Sequence, residues 1–147
     1  MRQSLVVLTL AIAGSVLAYF YVTGQSYYPV VKLASPDGLT YNVVQSADSG
    51  RNACGDANAR FLGPVRKQCP QCAVVYARCE RELEGIELAL STGAPVPHYR
   101  VIGADVQIAV QGPADRVRAA CEEIASDIVR GGVPTAACVF PGPSSKF

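Results

Sequence analysis

The chain has 147 residues, six of them cysteine, with thirteen basic and twelve acidic side chains. That length has room for one domain. Beyond Arg2 the charges balance and no basic run occurs, which argues against nucleic acid or an anionic membrane surface as the principal partner. The cysteine count is even and all six lie past the N-terminal apolar stretch, as expected for an oxidising compartment.

Leu5–Val22 (LVVLTLAIAGSVLAYFYV) carries no charge, and the next charged side chain is Lys32. A run of that length is enough for a bilayer-spanning helix. Arg2 and the amino terminus precede it, so the N-terminus is expected in the cytoplasm and the rest outside. Residues 1–24 therefore read as a single-pass inner-membrane anchor carrying a periplasmic or other extracytoplasmic domain. A cleaved signal peptide is the rival, since Val16-Leu17-Ala18 and Val22-Thr23-Gly24 place small residues where a peptidase cuts. Either reading exports the body of the protein.

Residues 25–37 mix turn formers with tyrosines and prolines and read as a stalk. The domain is expected over 38–140, and residues 141–147 (PGPSSKF) as a flexible tail. Gly38–Gln45 alternates Leu39, Tyr41 and Val43 against Thr40 and Asn42, the pattern of a half-buried strand. A helix begins near Arg51 with Cys54, Ala57 and Phe61 on its apolar stripe, and Gly63-Pro64 should kink or end it. Ala73–Arg78 is a short apolar strand. Glu80–Ser91 is a short helix with Leu83, Ile86 and Leu90 inward and Glu80, Glu84 and Glu87 on a solvated face.

Tyr99–Gln111 holds a strand through Val106, Ile108 and Val110, with Gly103 marking a bulge or turn. The best-formed helix follows Gly112-Pro113, with Val117, Ala120, Cys121, Ile124 and Ile128 as its stripe and Gly131-Gly132 as its stop. Thr135–Phe140 is the last strand. The order β-α-β, helical insertion, β-α-β predicts an α+β, ferredoxin-like, four-stranded sheet with both main helices on one face. An internal echo supports two halves: Val44-Gln45 precedes Arg51-Asn-Ala-Cys54, and Val110-Gln111 precedes Arg118-Ala-Ala-Cys121.

Six cysteines allow fifteen pairings. In a βαβ unit the helix start and the end of the second strand meet, which favours Cys54 with Cys79. Cys121 on the buried stripe can reach Cys138 in the last strand, and Cys69 and Cys72 remain as a local pair. A rival follows the echo and joins Cys54 to Cys72, leaving Cys69 and Cys79 unpaired in the chain. Cys69-Pro-Gln-Cys72 also has the form of a redox motif, but it follows a helix instead of opening one, so it meets the dipole end that disfavours a thiolate. As half of a zinc site it lacks a second C-x-x-C. Structural disulfides are the preferred reading.

No motif demands a cofactor: a Gly-rich phosphate loop and H-E-x-x-H are both missing from the sequence. His98 is the sole histidine, and Glu122-Glu123 point in different directions on one helix, so no catalytic residue is assigned. Tyr41, Tyr76 and Tyr99 are candidate binding residues if they stand on an open sheet face.

Asn42-Val-Val-Gln45 with the following helix, and Tyr99-Arg-Val101 with the Val106–Phe140 half, resemble the SPOR (sporulation-related repeat) domain family. Ser46-Ala-Asp48 stands where that family has Gly-Ser-Phe. The resemblance implies binding of peptidoglycan glycan strands on the open sheet face. The function expected from the sequence is a non-enzymatic, membrane-anchored binding or assembly module of the cell envelope, with a glycan or an envelope protein as partner. The alternative is thiol–disulfide exchange at Cys69 and Cys72.

Overall fold

A computed structural model describes residue 15 and residues 24–140. Apart from Ser15 and Gly24, the expected anchor 1–24 and the tail 141–147 lie outside the described residues. Among those described, no helix is long and apolar enough to cross a membrane.

The segment read as a stalk is a strand of the sheet. β1 (Ser26–Ala34) buries Val30, Val31 and Leu33 because it runs between two neighbours with both faces covered, so its apolar residues are consecutive and not alternating. Ser35-Pro36-Asp37-Gly38 turns the chain, with the Gly38 N–H donating to the Ser35 carbonyl at 3.1 Å and Gly38 at φ +87°. β2 (Thr40–Gln45) then returns beside β1 with Val30 opposite Val44 and Leu33 opposite Tyr41. β3 (Asp48–Ser49) continues along β1 one residue out of register. Pro29 lies where β1 has lost its ladder to β2, so the N–H that proline lacks is not missed on that side.

α1 (Arg51–Gln68) leads to β4 (Ala73–Glu80), and α2 (Gly85–Thr92) leads to the hairpin of β5 (Tyr99–Ile102) and β6 (Val106–Gln111). α3 (Ala114–Arg130) and β7 (Ala137–Val139) complete the chain. α1 continues through Gly63-Pro64, against expectation. Proline removes one hydrogen bond near the end of the helix, while Phe61, Leu62 and Val65 pack on the core on both sides of it. Gly103 closes a hairpin, its N–H bonded to the Val106 carbonyl at 2.8 Å, and so divides the single strand expected there into β5 and β6.

The result is an α+β fold on a seven-stranded antiparallel sheet, larger than the four strands expected. Its main path runs β4-β1-β2-β6-β5-β7. Each βαβ crossover, β2-α1-β4 and β6-α3-β7, spans a strand of its own half, β1 or β5. That is why the ferredoxin-like order is not formed. The order reads the same from either edge, so the chain is two ββαβ halves joined across β2 and β6. The sequence echo at Cys54 and Cys121 belongs to this duplication: each is a fully buried helix residue tied to the last strand of its own half.

Both long helices lie on one face, where Leu62, Val117, Cys121 and Ala125 meet Val31, Leu33, Val43, Ile108 and Val110. The reverse face is not open. α2 and the segment entering it cover it, with Leu90 of the helix and Leu83 just before it against Val30, Val44 and Ala109. The halves also meet at Gly112 (φ +147°), where a Cβ would lie 2.8 Å from the Gly38 carbonyl oxygen and 2.9 Å from Leu39 Cδ2.

Candidate functional site

The alternation of β2 and β6 turns Tyr41, Val43 and Ile108 toward the helices, and Leu33 of β1 joins them. These residues floor an apolar groove of about 420 Å³ between α1 and α3. Phe61, Pro64 and Val65 form one wall, and Ile124 and Ile128 the other. A small-molecule or side-chain pocket is typically of this size. The groove sits beside the β2–β6 junction, so one helix of each half contributes a wall.

Pro64 is part of the design of that wall. It offers no N–H to the carbonyl of Arg60, which lines the same groove, and its flat ring replaces a longer side chain there. The Cys69–Cys72 disulfide also lines the groove, directly after the end of α1. The Cys69 N–H donates to the Val65 carbonyl at 2.8 Å, and the Cys72 N–H to the Cys69 carbonyl at 3.1 Å, so the pair is set in a tight turn. Polar groups are few: Arg60, Gln68 and an Asp127 carboxylate paired with Arg130. Burial, reinforced by Asp37 and Glu123, pushes the Tyr41 hydroxyl above the usual phenol range. It therefore stays a neutral hydrogen-bond donor beside an apolar space.

The three candidate tyrosines do not share a face. Tyr41 and Tyr99 pack against the helix-side core, and Tyr99 also meets Phe140 edge-on at 5.5 Å. Tyr76 belongs to the α2 side. There its hydroxyl donates to Glu87 Oε1 at 2.7 Å, and the Arg78 guanidinium sits 4.3 Å over its ring. Arg78 also reaches Glu87 at 3.5 Å and Glu80 at 2.7 Å. Burial first, and the bond to Glu87 second, push the Tyr76 hydroxyl up to about 12.

Glu87 is buried, so it leaves the solvated face expected for Glu80, Glu84 and Glu87. The signal was present: Leu83, Ile86, Glu87 and Leu90 follow the i, i+3, i+4, i+7 spacing of one helix face. Its position on that stripe outweighs its charge because Tyr76 and Arg78 wait opposite. Asn58 is a second buried polar residue that pattern reading passes over. Its Nδ2 donates to the Arg78 carbonyl at 3.0 Å and its Oδ1 accepts from Gln45 at 3.3 Å, tying α1 to β4 and β2.

The cysteines pair as Cys54–Cys79, Cys69–Cys72 and Cys121–Cys138, the connectivity that strand and helix order points to. No cysteine among the described residues is free, and none of their His, Cys, Asp and Glu side chains gather into a group able to hold a metal ion. His98 is half-buried just before β5. No family model, curated protein or solved structure matches the chain.

Proposed function

We propose that this protein is a membrane-anchored, extracytoplasmic binding module of the cell envelope, non-enzymatic, whose interhelical groove receives apolar side chains of a protein partner. The observation that carries the reading is the closure of all six cysteines into three disulfides, a covalent framework suited to an oxidising compartment. The uncharged Leu5–Val22 segment after Arg2 supplies the anchor. The groove favours a protein partner over a glycan. Its lining is mainly aliphatic, and the tyrosines that could stack on sugars are divided between two faces. The sheet face on which the SPOR resemblance would place glycan binding carries α2.

Two experiments test this. A phosphatase fused after Phe147 is expected to be active and to stay with the membrane; an inactive fusion overturns the export reading. A photoreactive residue at exposed Gln68, on the groove rim, is expected to form adducts in cells that one at exposed Glu82 does not form. Ile124→Lys should abolish those adducts without changing the melting temperature by more than a few degrees. Equal labelling from both positions refutes the groove as the seat.

A second reading has one observation in its favour: the Cys69–Cys72 disulfide lines the groove that would hold a peptide. In thiol–disulfide exchange a substrate thiolate attacks one sulfur, the other leaves as thiolate, and a second substrate thiol resolves the mixed disulfide. The substrate is oxidised and the pair reduced. Its place after the C-terminal end of α1 opposes this, because carbonyl dipoles disfavour the leaving thiolate and Arg66 and Lys67 offer the local compensation. Thiol trapping separates the readings. A pair that stays closed under mild glutathione, with Cys69→Ser leaving the phenotype intact, excludes exchange.

A further inference from the structure

β4 is eight residues long and, among the described residues, pairs with β1 alone. Exposed edges are usually shortened, covered, or broken by lysine or proline. β4 contains neither; its ladder to β1 slips by one residue at Val75, where Val74 and Val75 are 37% and 54% exposed, and is regular from Tyr76 to Glu80. Its two charges are engaged with each other, Arg78 to Glu80 at 2.7 Å. The opposite edge is blunted: β7 has three residues, and the Phe140 ring after it packs on Tyr99 with the Arg118 guanidinium 5.3 Å from its centre.

Pro29 of β1 has no N–H and lies opposite Cys79, so the ladder bonds through the flanking pairs and the N–H and C=O of Arg78 face β1. Antiparallel ladders alternate, so the N–H and C=O of Ala77 and Cys79 face outward, where among the described residues no strand lies beside them. Alongside runs a trough of about 710 Å³ between β4 and α1. Its helical wall is Gly55, Ala59 and Gly63, at four-residue spacing. A Cβ at Gly55 or Gly63 would meet nothing within 4 Å, so internal packing does not require either glycine. Each weakens the helix relative to alanine. The trough has room for the helix-facing side chains of one more strand. Arg51 and Arg66 line it about 22 Å apart along the helix. Neither is ion-paired among the described residues.

We infer that the outer edge of β4 takes up an extended, acidic segment of a partner protein as an additional strand. Main-chain bonds to the edge would supply affinity, and Arg51 and Arg66 the preference for acidic sequence. A second copy of this chain fits less well. Antiparallel β4–β4 pairing would bring two α1 helices onto one face, each with Arg51, Arg60, Arg66 and Lys67 against Asp56 alone.

The probe is a fluorescein-labelled octapeptide alternating valine with glutamate, titrated into the full chain in detergent micelles and read by anisotropy. Binding is expected, with at least a tenfold loss for the Arg51→Glu/Arg66→Glu pair and a similar loss for Gly63→Leu. Gly63→Leu should keep or raise the melting temperature, so a loss there is not unfolding. N-methylation of the peptide amides that face the edge should abolish binding, while N-methylation of the alternate amides should not. Ile124→Lys in the interhelical groove should leave this binding unchanged, which separates the two sites. The inference is overturned by an absence of binding at millimolar peptide or by indifference to which amides are methylated. It is equally overturned by self-association of the chain that Gly63→Leu removes.

Discussion

Pairwise removal of the disulfides should reveal an order of stability set by the chain each one closes. Cys54–Cys79, Cys121–Cys138 and Cys69–Cys72 span sequence separations of 25, 17 and 3. Loop-closure entropy then assigns about 3.5, 3.1 and 1.6 kcal/mol to the three at 25 °C. Alanine is the suitable replacement, because Cys54 and Cys121 are fully buried and serine would leave a hydroxyl in the core. Loss of a buried sulfur adds a similar cavity cost to the first two and widens their gap from the third. A domain of this size has roughly 5–15 kcal/mol in total. Cys54→Ala/Cys79→Ala should therefore lower the urea midpoint by at least 1 M more than Cys69→Ala/Cys72→Ala, taking a slope of about 1–2 kcal/mol per molar. Equilibrium unfolding followed by circular dichroism measures this. If removing Cys69–Cys72 costs as much as removing Cys54–Cys79, the short bridge holds more than its own turn and the chain-entropy reasoning fails.

Tyr76→Phe should flatten the alkaline limb of the stability profile. Because the folded hydroxyl is raised from 10 to about 12, its contribution is complete below pH 10 and is lost as pH climbs through 12. After discounting for its partial exposure this amounts to about 1 kcal/mol; a wild-type-minus-variant difference that stays constant from pH 9 to 12 contradicts it. Gly112→Ala should destabilise by about 2 kcal/mol or more, since its φ is +147° and the new Cβ would press on the Gly38 carbonyl. Gly55→Ala, with open space around it, should instead stabilise by up to about 1 kcal/mol in the same urea measurement. Asn58→Ala removes the bonds from the buried Asn58 amide to the Arg78 carbonyl and to Gln45 and should cost about 0.5–1.5 kcal/mol for each, with faster amide exchange in β4 as the local readout.

Elements with strong periodicity were legible before folding was considered. α3 carries Val117, Cys121, Ile124 and Ile128 on one stripe, and β2 and β6 alternate cleanly because one face of each meets the helices. β1 was not legible as a strand. Its burial on both faces erases alternation, and its tyrosines and Pro29 resemble linker composition. The Ser35-Pro36-Asp37-Gly38 turn was the available signal that a hairpin, and not a stalk, ends there. Of the groove, the apolar residues could be named from their stripes, but not the gap between the helices that makes them a site.

The sequence by itself determined the two long helices and the pairing that topology favours among six cysteines. These depend on local spacing and on which ends of neighbouring elements must meet. Tertiary structure alone decided that β1 and β5 enter their own βαβ units, that α2 closes the reverse face over Glu87, and that β4, among the described residues, pairs on one side alone. Those outcomes depend on which strand edges and faces compete for one another across the chain, and no window of neighbouring residues records that competition.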